Sequence, residues 1–239
     1  MKTELAADAA DHTRWLYYEV DRKADLTVKQ WVAQTGRGDL NRVIERNGQP
    51  LSQDAQRRQM QAFAYDAAMQ AKQRRAGQHD DRQATEMLNL LPQAFVWKKS
   101  GEHDDDTLLQ FTPDPHFRPP DYESRVFAAM EGEMAVDKAQ RRIVSLKGKL
   151  IHDVKFGYGF FGELRAGGTF DVERRELSRG VWQITETHVH IAGRALLFKT
   201  ISEQEDDEKS KFSELPGNIS FDDAEKRLMA QDRLMAQNK

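Results

Sequence analysis

The chain has 239 residues, of which 38% are hydrophobic and 31% charged, and its formal net charge is −3. Its aromatic residues suffice for a sizeable core, which excludes wholesale disorder, and no apolar run approaches the ~20 residues of a membrane-spanning helix. The lack of cysteine excludes disulfides, zinc–thiolate centres, iron–sulfur clusters and thiol catalysis. The mild acidity argues against a nucleic-acid partner, because such proteins cluster Lys and Arg.

Three strands are predicted near the start of the chain, after an N-terminal extension over residues 1–12. Residues 14–20 are aromatic and β-branched, and residues 27–35 alternate between apolar and polar types. The third strand spans residues 40–46. The turn before it contains an Arg-Gly-Asp triplet, which we interpret as hairpin chemistry rather than as an adhesion motif.

A helical insertion is predicted over residues 52–92. The composition of residues 53–75, rich in Ala, Gln, Met and Arg, favours a helix. Gly77 is expected to end this helix, and Asp80 or Asp81 to cap a second one.

Strand character returns at Phe95, and the remaining elements are mostly strands. Residues 95–98 and 107–112 flank a polar loop, prolines then force an extended crossing, and a short helix is expected near residues 121–130. About six closely spaced strands follow, up to residue 202. We expect residues 214–239, which contain a repeated Arg-Leu-Met-Ala-Gln, to be a C-terminal tail rather than an amphipathic helix.

This order of elements predicts a mainly β (α+β) fold. Consecutive strands with short turns are typical of an antiparallel sheet, here a strongly curved one that forms an open half-barrel of about nine to eleven strands. The helices are expected to pack on its concave face. The main domain is expected to span residues 13–213.

Two sequence motifs suggest chemistry, and each has a simpler explanation. The glycines Gly157, Gly159 and Gly162 match a nucleotide-binding string, but a strand rather than a helix follows them, so we expect them to bend or link strands. His188 and His190 share a strand face and would need His152 to complete a three-histidine metal site. We therefore predict no metal and no cofactor.

The acidic loop at Asp104–Asp106 lacks the spacing of a calcium-binding loop. Nucleophile elbows, zinc-protease motifs and phosphate-binding loops do not occur in this sequence. We therefore expect a protein that is not an enzyme.

The most informative pattern is apolar alternation on several strands, which predicts a wide aromatic wall facing the helices. The wall is interpreted either as a filled core or as the lining of a cavity for an acyl chain. The side chains predicted to line such a cavity are Trp15, Tyr17, Met60, Phe63, Leu91, Phe111, Phe156, Tyr158, Phe170, Trp182 and Phe198.

Several segments resemble the LolA-like bacterial envelope proteins, often described as outer-membrane lipoprotein-sorting proteins, in the superfamily of LolA, LolB and RseB. The resemblance covers roughly residues 13–213 and rests on 111–115, 119–120, 130–132, 136–137, 151–157, 180–182 and 193–199. It implies a half-barrel wrapped around helices, with an apolar cavity. Members of the superfamily carry lipoproteins across the periplasm, bind lipids, or sense envelope stress.

The resemblance leads us to expect a periplasmic carrier that binds an acyl chain, a lipid or a lipoprotein, with its signal peptide already removed. Burial of methylene groups would supply the affinity, at about 0.8 kcal/mol for each. The alternative is a non-enzymatic envelope module with a filled core, which binds a protein partner or senses stress.

Overall fold

Antiparallel strands make up most of the chain. The computed structural model describes residues 1–121, 123–156, 162–195 and 204–237. Within these residues, eleven strands form a large antiparallel sheet that does not close into a barrel, three strands form a smaller sheet, and five helices accompany them. The predicted mainly β fold class is confirmed.

The strands are numbered in chain order. They are β1 (Arg14–Lys23), β2 (Thr27–Thr35), β3 (Gly38–Arg46), β4 (Gln49–Pro50), β5 (Phe95–His103), β6 (Asp106–Pro113), β7 (Met130–Asp137), β8 (Ile143–Leu150), β9 (Val154–Phe156), β10 (Gly162–Leu164), β11 (Thr169–Ser178), β12 (Val181–His190), β13 (Gly193–Ala195) and β14 (Gln204–Leu215).

Four α-helices and one 3-10 helix complete the described structure. They are α1 (Lys2–Ala10), α2 (Gln53–Tyr65), α3 (Ala67–Ala94), α4 (Phe221–Gln237) and the 3-10 helix Glu123–Ala129. None of the helices described is both long enough and apolar enough to span a bilayer.

The chain divides into two compact units. Unit 1 comprises Met1–Asp11 and Arg82–Asp207, and unit 2 comprises His12–Asp81 and Glu208–Lys239. Helix α3 and strand β14 each contribute residues to both units. These boundaries do not coincide with those expected at residues 13 and 213, because each unit has an apolar core of its own.

Unit 1 contains the strand order β12–β11–β8–β7–β6–β5, with β14 next to β12. The smaller sheet, in the order β13–β10–β9, belongs to the same unit. Its core combines the end of α3, the 3-10 helix and the inner faces of the strands, and its most buried members include Phe95, Phe111 and Leu150.

Unit 2 contains the strand order β4–β3–β2–β1–β14. Helices α2 and α4 supply Met60, Ala224 and Leu228 to its core, where they pack with Leu16 and Trp31 of the strands. Burial of these apolar side chains is the main contribution to the stability of α2 and α4 in the fold.

The helical insertion is interrupted at Asp66, and not at Gly77 as predicted. The Asp66 backbone is extended (φ −103°, ψ 91°), which ends α2, and its Oδ1 accepts a hydrogen bond of 2.9 Å from the Met69 amide, which begins α3. Helix α3 then runs through Gly77, since one helical glycine costs only about 1 kcal/mol.

The segment expected to be a C-terminal tail instead contains the end of strand β14 and helix α4. The side chains of Phe221, Ala224 and Leu228 are 6%, 0% and 0% exposed, so the helix belongs to the core of unit 2. Its apolar residues have the spacing of an amphipathic helix, which is the alternative to a tail. At the other end of the chain, residues 2–10 form α1, and Glu4 is buried.

Candidate functional site

A row of aromatic and glycine residues crosses five neighbouring strands of unit 1. In the strand register, Trp97 of β5 is opposite Phe111 of β6, Phe111 is opposite Gly132 of β7, Gly132 is opposite Gly148 of β8, and Gly148 is opposite Phe170 of β11. Residues in register on adjacent strands point to the same face of a sheet. The three rings therefore share one face, which we call the aromatic row.

The two glycines let the rings lie against the sheet backbone. A methyl group added at Gly148 would lie 2.6 Å from the Phe170 ring, and one at Gly132 would lie 2.8 Å from Cζ of Phe111. Both distances are below van der Waals contact, and backbone atoms of Lys147 at Gly132 and of Glu131 at Gly148 are also too close, so rings and backbone together occupy the space that a side chain would need. A residue without Cβ is required at both positions.

Further rings extend the row into a continuous cluster. The Phe95 ring centre lies 4.7 Å from that of Phe111 and 5.4 Å from that of Phe127, and Trp97 lies 5.4 Å from Phe111. The Trp97 indole Nε1–H donates to the Leu91 carbonyl of α3 at 3.2 Å. This bond joins the end of the helix to the edge strand of the sheet.

The last two turns of α3 cover this face with apolar side chains. Leu91 is 5% exposed, while Met87, Leu88 and Leu90 are only partly buried and pack against the same cluster. Several residues of the cluster thus combine apolar contacts with access to solvent. Such a surface is suited to an apolar ligand, because part of its area remains to be buried.

Three of the predicted lining residues, Leu91, Phe111 and Phe170, meet in this cluster. Trp182 is buried elsewhere in unit 1, where its Nε1–H donates to Gln140 Oε1 at 3.1 Å. Signals in the sequence that would have completed the cluster are the alternating Phe95 and Trp97 and the apolar spacing of Met87, Leu88 and Leu91.

Four other predicted residues belong to unit 2. Met60 and Phe63 pack in the core formed with α4. Trp15 and Tyr17 alternate with Leu16 and so lie on the other face of β1, where their ring centres are 6.0 and 5.3 Å from that of Phe212. The remaining three, Phe156, Tyr158 and Phe198, lie outside the described side chains.

The opposite face of the unit 1 sheet is charged. Lys147 of β8 lies 3.1 Å from Asp171 and 2.8 Å from Glu173 of β11, and Lys149 lies 3.2 Å from Glu131 of β7. These residues alternate with those that point to the aromatic row, so charge and apolar surface are separated by the pleat of the sheet.

The histidine pair belongs to this charged face. His188 Nδ1 and His190 Nε2 lie 2.6 and 3.0 Å from Oδ1 of Asp206 in β14. The hydrogen bond with Asp206 raises the pKa of His188 despite partial burial, which acts in the opposite direction. His152 is exposed in the loop between β8 and β9, and no cluster of three or more metal-ligating groups occurs among the described residues.

A buried ion cluster joins α1 to the sheet of unit 1. Glu4, which is 1% exposed, accepts hydrogen bonds from Arg142, Arg174 and the Ile143 amide. Burial alone would raise the pKa of Glu4, but these hydrogen bonds outweigh it and the pKa lies below its ordinary value. Asp8 completes the cluster at 2.9 Å from Arg142 and 3.1 Å from Arg174. No local pattern in the sequence predicts this cluster, because the partners are more than a hundred residues apart.

The glycine motif falls largely on residues that the structure does not describe. Gly157 and Gly159 lie outside the described residues, while Gly162 begins strand β10, which pairs with β9 and β13. A strand and not a helix follows the motif, as expected, and the geometry that aims a helix N-terminus at a phosphate is missing there.

No family model, curated protein or solved structure matches this chain.

Proposed function

We propose that the protein is a non-enzymatic carrier that binds an acyl chain of a lipid or lipoprotein at the aromatic row of unit 1. The observation that carries the proposal is the set of partly buried apolar side chains between the end of α3 and the sheet. Leu88, Leu90, Trp97 and Phe170 all contact the buried cluster while keeping part of their surface accessible. Covering that surface with methylene groups would be favourable by about 0.8 kcal/mol for each group buried.

The separation of charge supports the same proposal. Charged residues of β7, β8 and β11 point to the opposite face, so a chain lying along the aromatic row would not have to desolvate them. The resemblance to LolA-like proteins adds a periplasmic location and a lipoprotein cargo to the proposal.

The decisive experiment is a titration with a fluorescent sixteen-carbon fatty acid. Leu88→Glu introduces a charge at the half-buried edge of the cluster, where it can still reach water, so the fold should survive. We expect an affinity at least about tenfold lower, because a charge opposes an apolar ligand. Asn89→Glu is the matched control, because it places the same glutamate at the next residue of α3, where the side chain is exposed. Equal affinity in both variants, or no saturable binding by the wild type, would overturn the proposal.

The second candidate is an envelope interaction or sensor module with a filled core. It is favoured by the near-complete burial of Phe95, Phe111 and Leu91, which are 4%, 2% and 5% exposed. Native mass spectrometry separates the two candidates. Co-purifying lipid supports the carrier, whereas a bare chain that takes up no fatty acid supports the module.

A further inference from the structure

Helix α2 and residues 67–81 of α3, which belong to unit 2, present a distinctive outward side. Their inward side is marked by Gln56, Met60 and Gln70, which are 5%, 1% and 2% exposed. At 100° per residue, the opposite side of α2 carries Arg58 and Tyr65, and that of α3 carries Lys72 and Arg75, while Met69 lies about 100° from Gln70, at the edge of this side. All five are exposed, and we call them the outer helix face.

The break at Asp66 fixes the apolar centre of this face. The Gln70 side-chain amide donates to the carbonyls of Phe63 and Ala64 at 2.8 and 2.9 Å, which also accept from the Asp66 amide and the Arg37 guanidinium, respectively. With Gln70 held inward, Tyr65 and Met69 point away from the core and are 86% and 49% exposed. Two large apolar side chains, one on each side of the break, are thus exposed to solvent.

The cations around this centre are not neutralised. Among the described residues, Arg58, Lys72 and Arg75 have no ion-pair partner, whereas Lys147 and Lys149 of unit 1 are each paired with carboxylates. The exposed acidic group on this side is Asp54, at the beginning of α2. A chain of net charge −3 therefore concentrates unpaired positive charge around exposed apolar residues.

We infer that the outer helix face docks the protein on the surface of an anionic phospholipid bilayer. Unpaired Lys and Arg attract the negative headgroups, while Tyr65 and Met69 enter the boundary between headgroups and acyl chains. A sequence pI of 6.2 does not suit a nucleic-acid partner. This inference goes beyond acyl-chain binding and does not require it, because the residues involved all belong to unit 2.

Sedimentation with vesicles tests the inference directly. The wild type should bind vesicles of phosphatidylcholine that contain about one third phosphatidylglycerol, and bind pure phosphatidylcholine far more weakly. Each basic residue near an anionic surface strengthens binding by about fivefold, so Arg58→Gln/Lys72→Gln/Arg75→Gln should lower the partition coefficient by about a hundredfold. Tyr65→Ser/Met69→Ser should lower it at every salt concentration.

The control removes three exposed cations from unit 1, in Lys98→Gln/Arg165→Gln/Arg179→Gln. It changes the net charge equally, so a similar loss in this variant would show a nonspecific charge effect and overturn the inference. Binding to duplex DNA in place of vesicles would also overturn it. Circular dichroism confirms that each variant is folded, and the fatty-acid titration should be unchanged in all of them, which keeps this test separate from that of the carrier.

Discussion

Gly132 and Gly148 determine how closely the aromatic rings of unit 1 approach the sheet. Each glycine is the cross-strand neighbour of a phenylalanine, and the ring leans over the backbone where a side chain would otherwise stand. An aromatic residue opposite a glycine on the adjacent strand therefore forms a packing pair with it. The ring supplies apolar contact area, and the glycine leaves room for the ring.

We expect Gly148→Ala to destabilise the protein by about 1–3 kcal/mol, the usual cost of overpacking. The added methyl group would lie 2.6 Å from the Phe170 ring and 2.7 Å from the Glu131 carbonyl. Urea unfolding provides the measurement. Gly101→Ala is the control, because no atom lies within 4 Å of the position of its Cβ. Combining Gly148→Ala with Phe170→Leu should recover part of the loss if the ring is the cause.

His188 and Asp206 should make stability depend on pH. The pKa of His188 is raised above the ordinary 6.5, chiefly by the hydrogen bond with Asp206, while the pKa of Asp206 is lowered from 3.8 by the two histidines against the effect of burial. The contribution of His188 to the free energy of unfolding is fully present below pH 6.5, the pKa of the unfolded chain. It is lost as the pH rises through the pKa of His188 in the folded protein. The aspartate contribution is present above 3.8 and is lost as pH falls through its own folded pKa.

An NMR titration of the His188 ring measures this effect. Asp206→Asn should move the pKa of His188 back toward 6.5, and stability should then vary less across mildly acidic and neutral pH. Glu214→Gln removes the same charge eight residues further along β14 and should leave the titration of His188 as it is. An unchanged pKa in Asp206→Asn would contradict the assignment.

Among the elements, those with strong local patterns were predicted well and those held by distant partners were not. The alternation of β2 gave its bounds from Thr27 to Thr35, and the helical composition after Ser52 was also a reliable signal. Strand β14 escaped prediction because it is highly charged. Its charges are matched by residues on neighbouring strands, such as Arg22 with Glu208 at 2.6 Å, and no local pattern shows these partners.

Helix α1 depends on the same kind of distant partner. We expect Glu4→Gln to destabilise unit 1 by about 3 kcal/mol or more, because it leaves the buried Arg142 and the partly buried Arg174 with too little negative charge. Chemical denaturation checks the change. Glu102→Gln breaks exposed pairs with Lys99 and Lys138 and should have no measurable effect. If Glu4→Gln lowers the free energy of unfolding only slightly, then Asp8 alone is enough to balance the positive charges of Arg142 and Arg174.

At the scale of the whole molecule, the sequence predicted the fold class but not the division into two units. Apolar residues on β1, α2 and β6 look alike in the sequence, and periodicity shows which face of an element is apolar without showing which elements share a core. Met60 and Phe111 were accordingly assigned to one wall, whereas they belong to the cores of unit 2 and unit 1. The sequence predicted that aromatic residues lie near helices, but it identified only some of the residues that meet in the cluster.

This division leads to the final prediction, which concerns where a ligand protects the chain. If an acyl chain binds at the aromatic row, hydrogen exchange should slow in β5–β8, β11 and the end of α3, all in unit 1. Amides of β1–β3 and α2 in unit 2 should exchange at unchanged rates. At about a hundred times its dissociation constant, the fatty acid should also stabilise the protein by about 2.7 kcal/mol, since it binds the folded state alone. Protection around Trp15, Tyr17 and Met60 instead would favour the single wide wall expected from the sequence and would remove the assignment of the site to unit 1.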